Sequence, residues 1–262
     1  MDLGTGFFDS AKYDTVRSAY SPKVKNKIKE LFSSKEAFVV AEVGAGSGKF
    51  TETIFESGLN IKELNIVEPD ENAILLHKEK FKHKKTNIIY YKNPSDKTEI
   101  KDKSIDLIFA THCFHWFEIE KTRLEFYRIL KDNGKVFILG RFLDEDDDIS
   151  AEYISLTRWG NRRNGFKSNV EAYSEKIMTN FFGHFVEKKI ICEETEYHSL
   201  NRLLDEIKIR IDSSGDSTIK NNKEFLEEMN AKITDFYDKN KLLEKAAVPL
   251  KYITFYFSDY MA

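Results

Sequence analysis

An apolar, β-branched run, Phe38-Val-Val-Ala-Glu-Val43, leads directly into three glycines at alternate positions, Gly44, Gly46 and Gly48, and then into Lys-Phe-Thr51. Strand, glycine-rich turn and helix in that order form the nucleotide pocket of a doubly wound α/β fold. Glycine lets the backbone turn sharply and lets a ligand approach closer than any Cβ allows. Spacing narrows the choice of ligand. A dinucleotide fingerprint needs glycines at positions one, three and six, but counting from Gly44 the sixth position is Lys49, and Gly48 falls one residue early. A phosphate-binding P-loop needs a glycine where Val43 stands and a Ser or Thr where Phe50 stands. What remains is Glu-x-Gly-x-Gly-x-Gly, starting at Glu42. The plain alternative is a glycine turn that merely joins a strand to a helix.

Composition narrows the class further. The 262 residues fit one large domain, or one with a smaller domain embedded in it. A hydrophobic share of 41% with 21 Phe is ample for a core, and 4 Pro among 32% charged residues exclude a disordered or collagen-like chain. The net charge of −3 arises from interspersed charges, which leaves no basic footprint for nucleic acid. Cys113 and Cys192 lie far apart and match no CxxC spacing, as expected of reduced thiols in a cytosolic protein. The opening Met1-Asp-Leu-Gly-Thr5 lacks the basic and apolar regions of a signal peptide, and no apolar run approaches the ~20 residues that span a bilayer. A cytoplasmic protein without a membrane partner is expected, with no feature that sets its oligomeric state.

Periodicity predicts a helix over 23–32, a strand at Phe38–Val43 and a helix after Gly48 that turns Phe50, Ile54 and Phe55 to the sheet and is capped by Gly58. Further strands are expected at 64–67, 87–91, 104–110 and 135–140, with helices at 73–81 and 121–130 and a turn at Asn133-Gly134. Strands alternating with helices imply a parallel sheet covered on both faces. After Gly140 the acidic run Asp144-Glu-Asp-Asp-Asp148 reads as a solvated loop, and 150–182 as helical and aromatic. A sixth strand is expected at 185–195 and a last one at 252–257. Between them 200–247 is helical, with Phe225, Leu226, Met229, Ile233 and Phe236 forming a core stripe. The expectation is a single domain over 1–262: a Rossmann-like, doubly wound, mostly parallel seven-stranded sheet, with helical lid insertions at about 144–184 and 200–247.

Glu68 stands twenty residues after Gly48, at the end of the second strand. A carboxylate there can accept hydrogen bonds from both hydroxyls of a ribose. The glycine motif resembles the first motif of class I S-adenosylmethionine (SAM)-dependent methyltransferases, and Val67-Glu-Pro-Asp70 resembles the second motif of the methyltransferase type 11 group. Ser104-Ile-Asp106 with Thr111-His-Cys-Phe-His-Trp-Phe117, Tyr127-Arg-Ile-Leu-Lys-Asp-Asn-Gly134 and Tyr13-Asp-Thr-Val-Arg-Ser-Ala-Tyr20 are similar to signatures of the trans-aconitate methyltransferase-like branch. The likeness covers nearly the whole chain. It implies SAM as cofactor, held by Tyr20, Glu42, Gly44, Ala45, Gly46, Ser47, Gly48, Glu68, Pro69, Ser95, Asp96 and Thr111, and a small-molecule methyl acceptor beside Trp116.

The third strand departs from that family. Where the family places Gly-Asp-Ala-Glu, with the aspartate on the adenine amino group, this chain has Asn93-Pro94-Ser95-Asp96. Proline supplies neither carboxylate nor donor, which leaves the backbone N–H of Ser95 and the acid of Asp96 to meet the adenine. Asp132-Asn133 also replaces a Pro-Gly pair. His112 and His115 fall at the edge of the fourth strand, where such folds hold their ligands; they are candidates for a general base, and no partners at ligand spacing support a metal. Arg158, Arg162 and Arg163 gather around Trp159, where they could clamp a carboxylate acceptor or form a solvated basic face paired with Asp144 to Asp148. The reading is in-line methyl transfer from SAM to a small molecule such as a carboxylic acid. The alternatives are a SAM-binding module without catalysis, a methyltransferase acting on a protein or other macromolecule, and a nicotinamide oxidoreductase that lacks the glycine replaced by Lys49.

Overall fold

The computed structural model describes residues 18–157, 169–212 and 222–261. Its seven-stranded sheet has the order β3-β2-β1-β4-β5-β7-β6, with β1 at Phe38–Val43, β2 at Ile61–Val67, β3 at Asn87–Tyr91 and β4 at Ile105–Thr111. The remaining strands are β5 at Leu130–Leu143, β6 at Lys189–His198 and β7 at Val248–Asp259. The pairs β2–β3, β1–β2, β1–β4 and β4–β5 are all parallel, so the expected doubly wound, mostly parallel α/β sheet is present. β1 and β4 are central and buried, which is why both read as continuous apolar runs rather than alternating ones.

The helices in order are α1 at Pro22–Leu31, α2 at Lys49–Glu56, α3 at Glu71–Phe81, α4 at Ile119–Ile129, α5 at Asp148–Thr157, α6 at Glu175–Phe182, α7 at Leu200–Asp212 and α8 at Lys223–Asn240. Ser21 starts α1 by accepting the Lys23 N–H, with Pro22 in the first turn. Phe50 and Ile54 of α2 are buried against the sheet as their spacing requires, in a cluster that also holds Phe109 and Phe137. Gly58 ends that segment with φ +75°.

Several expected boundaries move. The fifth strand starts at Leu130 rather than 135, and the predicted turn becomes a bulge inside it. Ile105 pairs with Leu130 and Leu107 with Lys135, so the intervening residues of β5 loop out of register. Gly134 permits this, since a Cβ there would lie 2.7 Å from Leu130 Cδ2 and 3.0 Å from the Ile105 carbonyl. β6 begins at Lys189, not 185, and Phe185 is exposed. Among the described residues of 200–247 there are helices at Leu200–Asp212 and Lys223–Asn240, followed by a turn at 241–247 closed by a bridge between Leu242 and Ala247.

The described residues divide into two compact units. One holds 19–140, 169–192 and 254–261; the other holds Ser18, 141–157, 193–212 and 222–253. In the second unit Met229, Ile233 and Phe236 of α8 pack with Tyr153, Leu203 and Ile207, so the aromatic and aliphatic stripe is core. The acidic run is not wholly a solvated loop. Asp144 is buried, its N–H donates to the Lys251 carbonyl and its carboxylate lies 2.9 Å from Lys251 Nζ, while Asp147 accepts from the Ser150 N–H and hydroxyl. The run therefore pins the start of α5 to β7.

The same unit buries a charged group. His198 lies between Glu196 Oε2 at 3.4 Å and Glu206 Oε1 at 3.3 Å and stacks on Tyr252, while Arg202 Nη2 and the Ser18 hydroxyl reach Glu196. Burial pulls the His198 pKa down, but the two carboxylates outweigh it and the value is raised. Burial likewise opposes ionisation of Glu196, but its hydrogen bonds and the charges of Arg141 and Arg202 bring it to about 2. The raised histidine therefore adds stability that is complete below its unfolded value and lost as pH rises through its folded value. Glu196 adds stability present above its unfolded value and lost as pH falls toward about 2. Thermal melts of wild type and His198→Gln across pH should show their gap widest in mild acid and narrowing toward alkaline pH. A gap that does not change with pH would contradict the assignment.

Candidate functional site

The register of the parallel strands brings the predicted residues to one edge. Val43 pairs with Val67, and Val67 with Tyr91, so the loops that follow β1, β2 and β3 leave side by side. Glu42 pairs with Phe109, which sets the end of β4 beside the glycine loop. This is the carboxyl edge at the crossover between β1 and β4, where doubly wound sheets bind their ligands.

Each glycine has a separate reason to be there. All three have left-handed φ, +73° at Gly44, +56° at Gly46 and +88° at Gly48. A Cβ on Gly44 would lie 2.8 Å from both Cβ and Sγ of Cys113, whose thiol donates to the Val43 carbonyl at 3.1 Å. A Cβ on Gly48 would lie 2.5 Å from Phe81 and 2.7 Å from His77 Cδ2. A Cβ on Gly46 would meet nothing within 4 Å. The first and third glycines serve packing inside the protein, and only the second presents bare backbone to open space.

Glu68 ties the loop down. Its Oε2 accepts the Gly46 N–H at 2.8 Å and its Oε1 accepts the Asp70 N–H at 3.0 Å. Burial raises its pKa, and the two N–H donors oppose that rise. A carboxylate has about four lone-pair sites, so each oxygen keeps one for a ligand hydroxyl. Asp70 in turn caps α3 by accepting the Asn72 N–H.

The other predicted residues divide. Thr111 ends β4 and is buried, and His112 follows it with φ +55°, its N–H on the Leu139 carbonyl. His115 is buried, and Trp116 is half exposed at the end of the 3-10 turn Phe114–Trp116. Ser47 is partly buried within the loop and Pro69 is exposed beyond Glu68. Ala45 is turned into the core, and the partly buried Tyr20 packs its ring edge-on to Phe50 at 5.1 Å. The Ser95 hydroxyl pairs with Thr122 at 2.8 Å, and Glu125 accepts the Thr98 N–H and hydroxyl, which anchors the loop after β3 on α4. Asp96 is half-buried in that loop. Arg158, Trp159, Arg162 and Arg163 lie outside the described residues. No group of three or more His, Cys, Asp or Glu suited to a metal ion occurs among the described residues.

The least legible part of the site lies beneath the glycine loop. Glu42 is buried, and its Oε2 accepts the Thr51 hydroxyl at 2.6 Å. Thr51 Oγ1 is 2.9 Å from His77 Nε2, and His77 Nδ1 is 3.0 Å from the Tyr90 hydroxyl. Glu42 Oε1 is buried with no hydrogen-bond partner. Burial lifts the Glu42 pKa to about 8, helped by the charge of Glu68 and opposed by the Thr51 hydroxyl and by Lys80. Burial and Lys80 lower His77 to about 4, so its imidazole is neutral. Thr51, His77 and Tyr90 carry no motif. A buried His at the helical face shared with Ala73 and Phe81 was their sole signal, and by itself it is a core position.

Residues 41–138 match the family model described as a methyltransferase domain. An uncharacterised methyltransferase of Schizosaccharomyces pombe is 34% identical over 136 residues, covering 52% of each chain. The chain spans about half the length of the curated relatives it matches first. Among solved structures, one from Anaeromyxobacter dehalogenans, described as a type II methyltransferase, has a TM-score of 0.61 at 14% identity, covering 93% of this chain and 97% of that one. A phosphoethanolamine N-methyltransferase of Haemonchus contortus, solved with phosphomonomethylethanolamine and S-adenosylhomocysteine, has a TM-score of 0.51 at 17% identity, covering 96% and 57%. Residues 41–138 are thus similar to a methyltransferase domain, on the class I methyltransferase fold.

Proposed function

We propose that this chain, carrying a methyltransferase domain of type 11 at residues 41–138, is a SAM-dependent methyltransferase acting on a small molecule. The observation that carries the reading is the second glycine: bare, open backbone at Gly46, bonded to a carboxylate with lone pairs to spare. Those residues fit a nucleoside, with Glu68 facing its ribose and the anchored 93–98 loop its base. SAM, when bound, supplies a methyl group already activated on a sulfonium, so the protein contributes position and exclusion of water. Positioning alone can supply roughly 7–11 kcal/mol. His112, in a left-handed turn at the edge of β4, is the candidate base for an acceptor that must lose a proton; a carboxylate would need none. The trans-aconitate-like placement rests on His115-Trp116-Phe117, and the acidic acceptor rests on the arginines at 158, 162 and 163. The lid role of 144–184 and 200–247 rests on their place in the sequence. No helix among the described residues is long and apolar enough to cross a membrane; a cytosolic enzyme is the reading proposed.

The test is methyl transfer from radiolabelled SAM over a panel of small carboxylic acids, phenols and amines, with protein and nucleic acid as further arms. Transfer to none of them, with SAM bound, favours a binding module; transfer only to a macromolecule overturns the small-molecule reading. At the base end, Asp96→Ala is expected to weaken SAM binding about tenfold, or 1.4 kcal/mol. Unchanged affinity in a calorimetric titration would leave the adenine to backbone groups alone.

A further inference from the structure

We propose that Glu42, Thr51, His77 and Tyr90 form a proton wire through which the carboxyl beneath the glycine loop loses its proton when a cationic cofactor binds. The inference rests on the SAM reading above and adds to it a role for His77 and Tyr90 as positioning residues. Three observations carry it. The four groups are joined by contacts of 2.6, 2.9 and 3.0 Å, with no break from Glu42 to Tyr90. The inner end is buried with one oxygen unpartnered, and the outer end, Tyr90, is only partly buried. The third glycine is the space in which His77 sits, since any Cβ there would collide with the imidazole.

Each link can donate or accept, so the chain has two complete orientations. With Glu42 protonated, its O–H donates to Thr51, Thr51 to His77 Nε2, and His77 Nδ1–H to the Tyr90 oxygen. Ionisation moves one proton along every link: Glu42 to Thr51, Thr51 to Nε2, Nδ1 to Tyr90, and the former Tyr90 proton to water. Afterwards every donor points inward, and Thr51 donates to the Glu42 carboxylate. One proton leaves the protein, and no group besides Glu42 changes charge.

The surroundings explain why a cation would drive this. Glu42 contacts Thr51 of α2, through which it reaches His77, and feels the charges of Lys80 of α3 and of Glu68 just past β2; its sheet neighbours Ile66 and Phe109 are apolar. Lys80 is shared with Glu52 at 3.1 Å, and Glu68 repels a second negative charge. An ionised carboxyl there lacks a full counter-charge, which a ligand bearing ammonium and sulfonium groups provides.

The experiment is titration of SAM into the full chain by calorimetry, in buffers of differing ionisation enthalpy, paired with stopped-flow proton release read by an indicator dye. Wild type should release on the order of one proton per SAM below about pH 8, with affinity falling about tenfold for each pH unit below that. Glu42→Gln should remove both effects. Thr51→Val and His77→Phe should slow proton release at least about tenfold, Thr51→Ser should keep it, and melting curves will show whether each variant is folded. Binding whose pH dependence is the same in wild type and Glu42→Gln, or proton release as fast in folded Thr51→Val as in wild type, overturns the wire alone. No SAM binding at any pH overturns the SAM reading and the wire together.

Discussion

Gly46→Val should give a folded protein that binds no SAM, whereas Gly48→Ala should lose much of its stability. The two glycines share a left-handed backbone, which costs a side-chain-bearing residue about 1–2 kcal/mol at either position. They differ in what surrounds them. At Gly46 a Cβ enters open space with no protein atom within 4 Å, so the main cost to the fold is that of the backbone, while the bare surface proposed to meet a nucleoside is filled. At Gly48 even a methyl group is driven to 2.5 Å from Phe81 and 2.7 Å from His77, both buried, which adds about 1–3 kcal/mol of overpacking. Thermal melts and SAM titration of both variants separate the effects. Wild-type affinity in Gly46→Val would place the cofactor elsewhere.

Glu68→Ala should weaken SAM binding by about 1.5–3 kcal/mol, the range for a hydrogen bond to a charged group, or roughly ten- to a hundredfold. The change removes the acceptor proposed for the ribose and also releases the N–H groups of Gly46 and Asp70, so the loop loses its tie to the second strand. Glu68→Gln should fall between, because its amide oxygen can still accept from one of the two donors while its NH2 group confronts the other. Calorimetry on the three proteins reads the order directly; equal affinities would show that the carboxylate serves the loop and not the ligand.

Several features of the site were legible because they are local. A strand that ends in alternate glycines and continues as a helix is set by residues within a few positions of one another, and the turn it must make is a property of the backbone. The same holds for Glu68, whose distance from the glycines is fixed by the length of one helix and one strand. Likewise the stripe of α8 was visible as core, since helical periodicity needs no partner to be recognised. The start of β5 is hidden in the sequence because Asn133-Gly134 has the chemistry of a turn; pairing with β4 absorbs it as a bulge, and that pairing is not local.

By itself the sequence determined the alternation of strands and helices, the glycine loop and the acid at the end of the second strand. Tertiary structure decided what each glycine is for, because the atoms that crowd Gly44 and Gly48 come from Cys113, His77 and Phe81, on other elements. It also decided that Asp144 is a buried anchor for Lys251, and that Glu42 sits at the end of a buried chain leading to Tyr90. Thr51 and His77 are 26 residues apart, and nothing in either residue names the other. Short-range backbone preference is written along the chain, but a hydrogen bond between distant side chains exists only once the sheet has set their elements side by side.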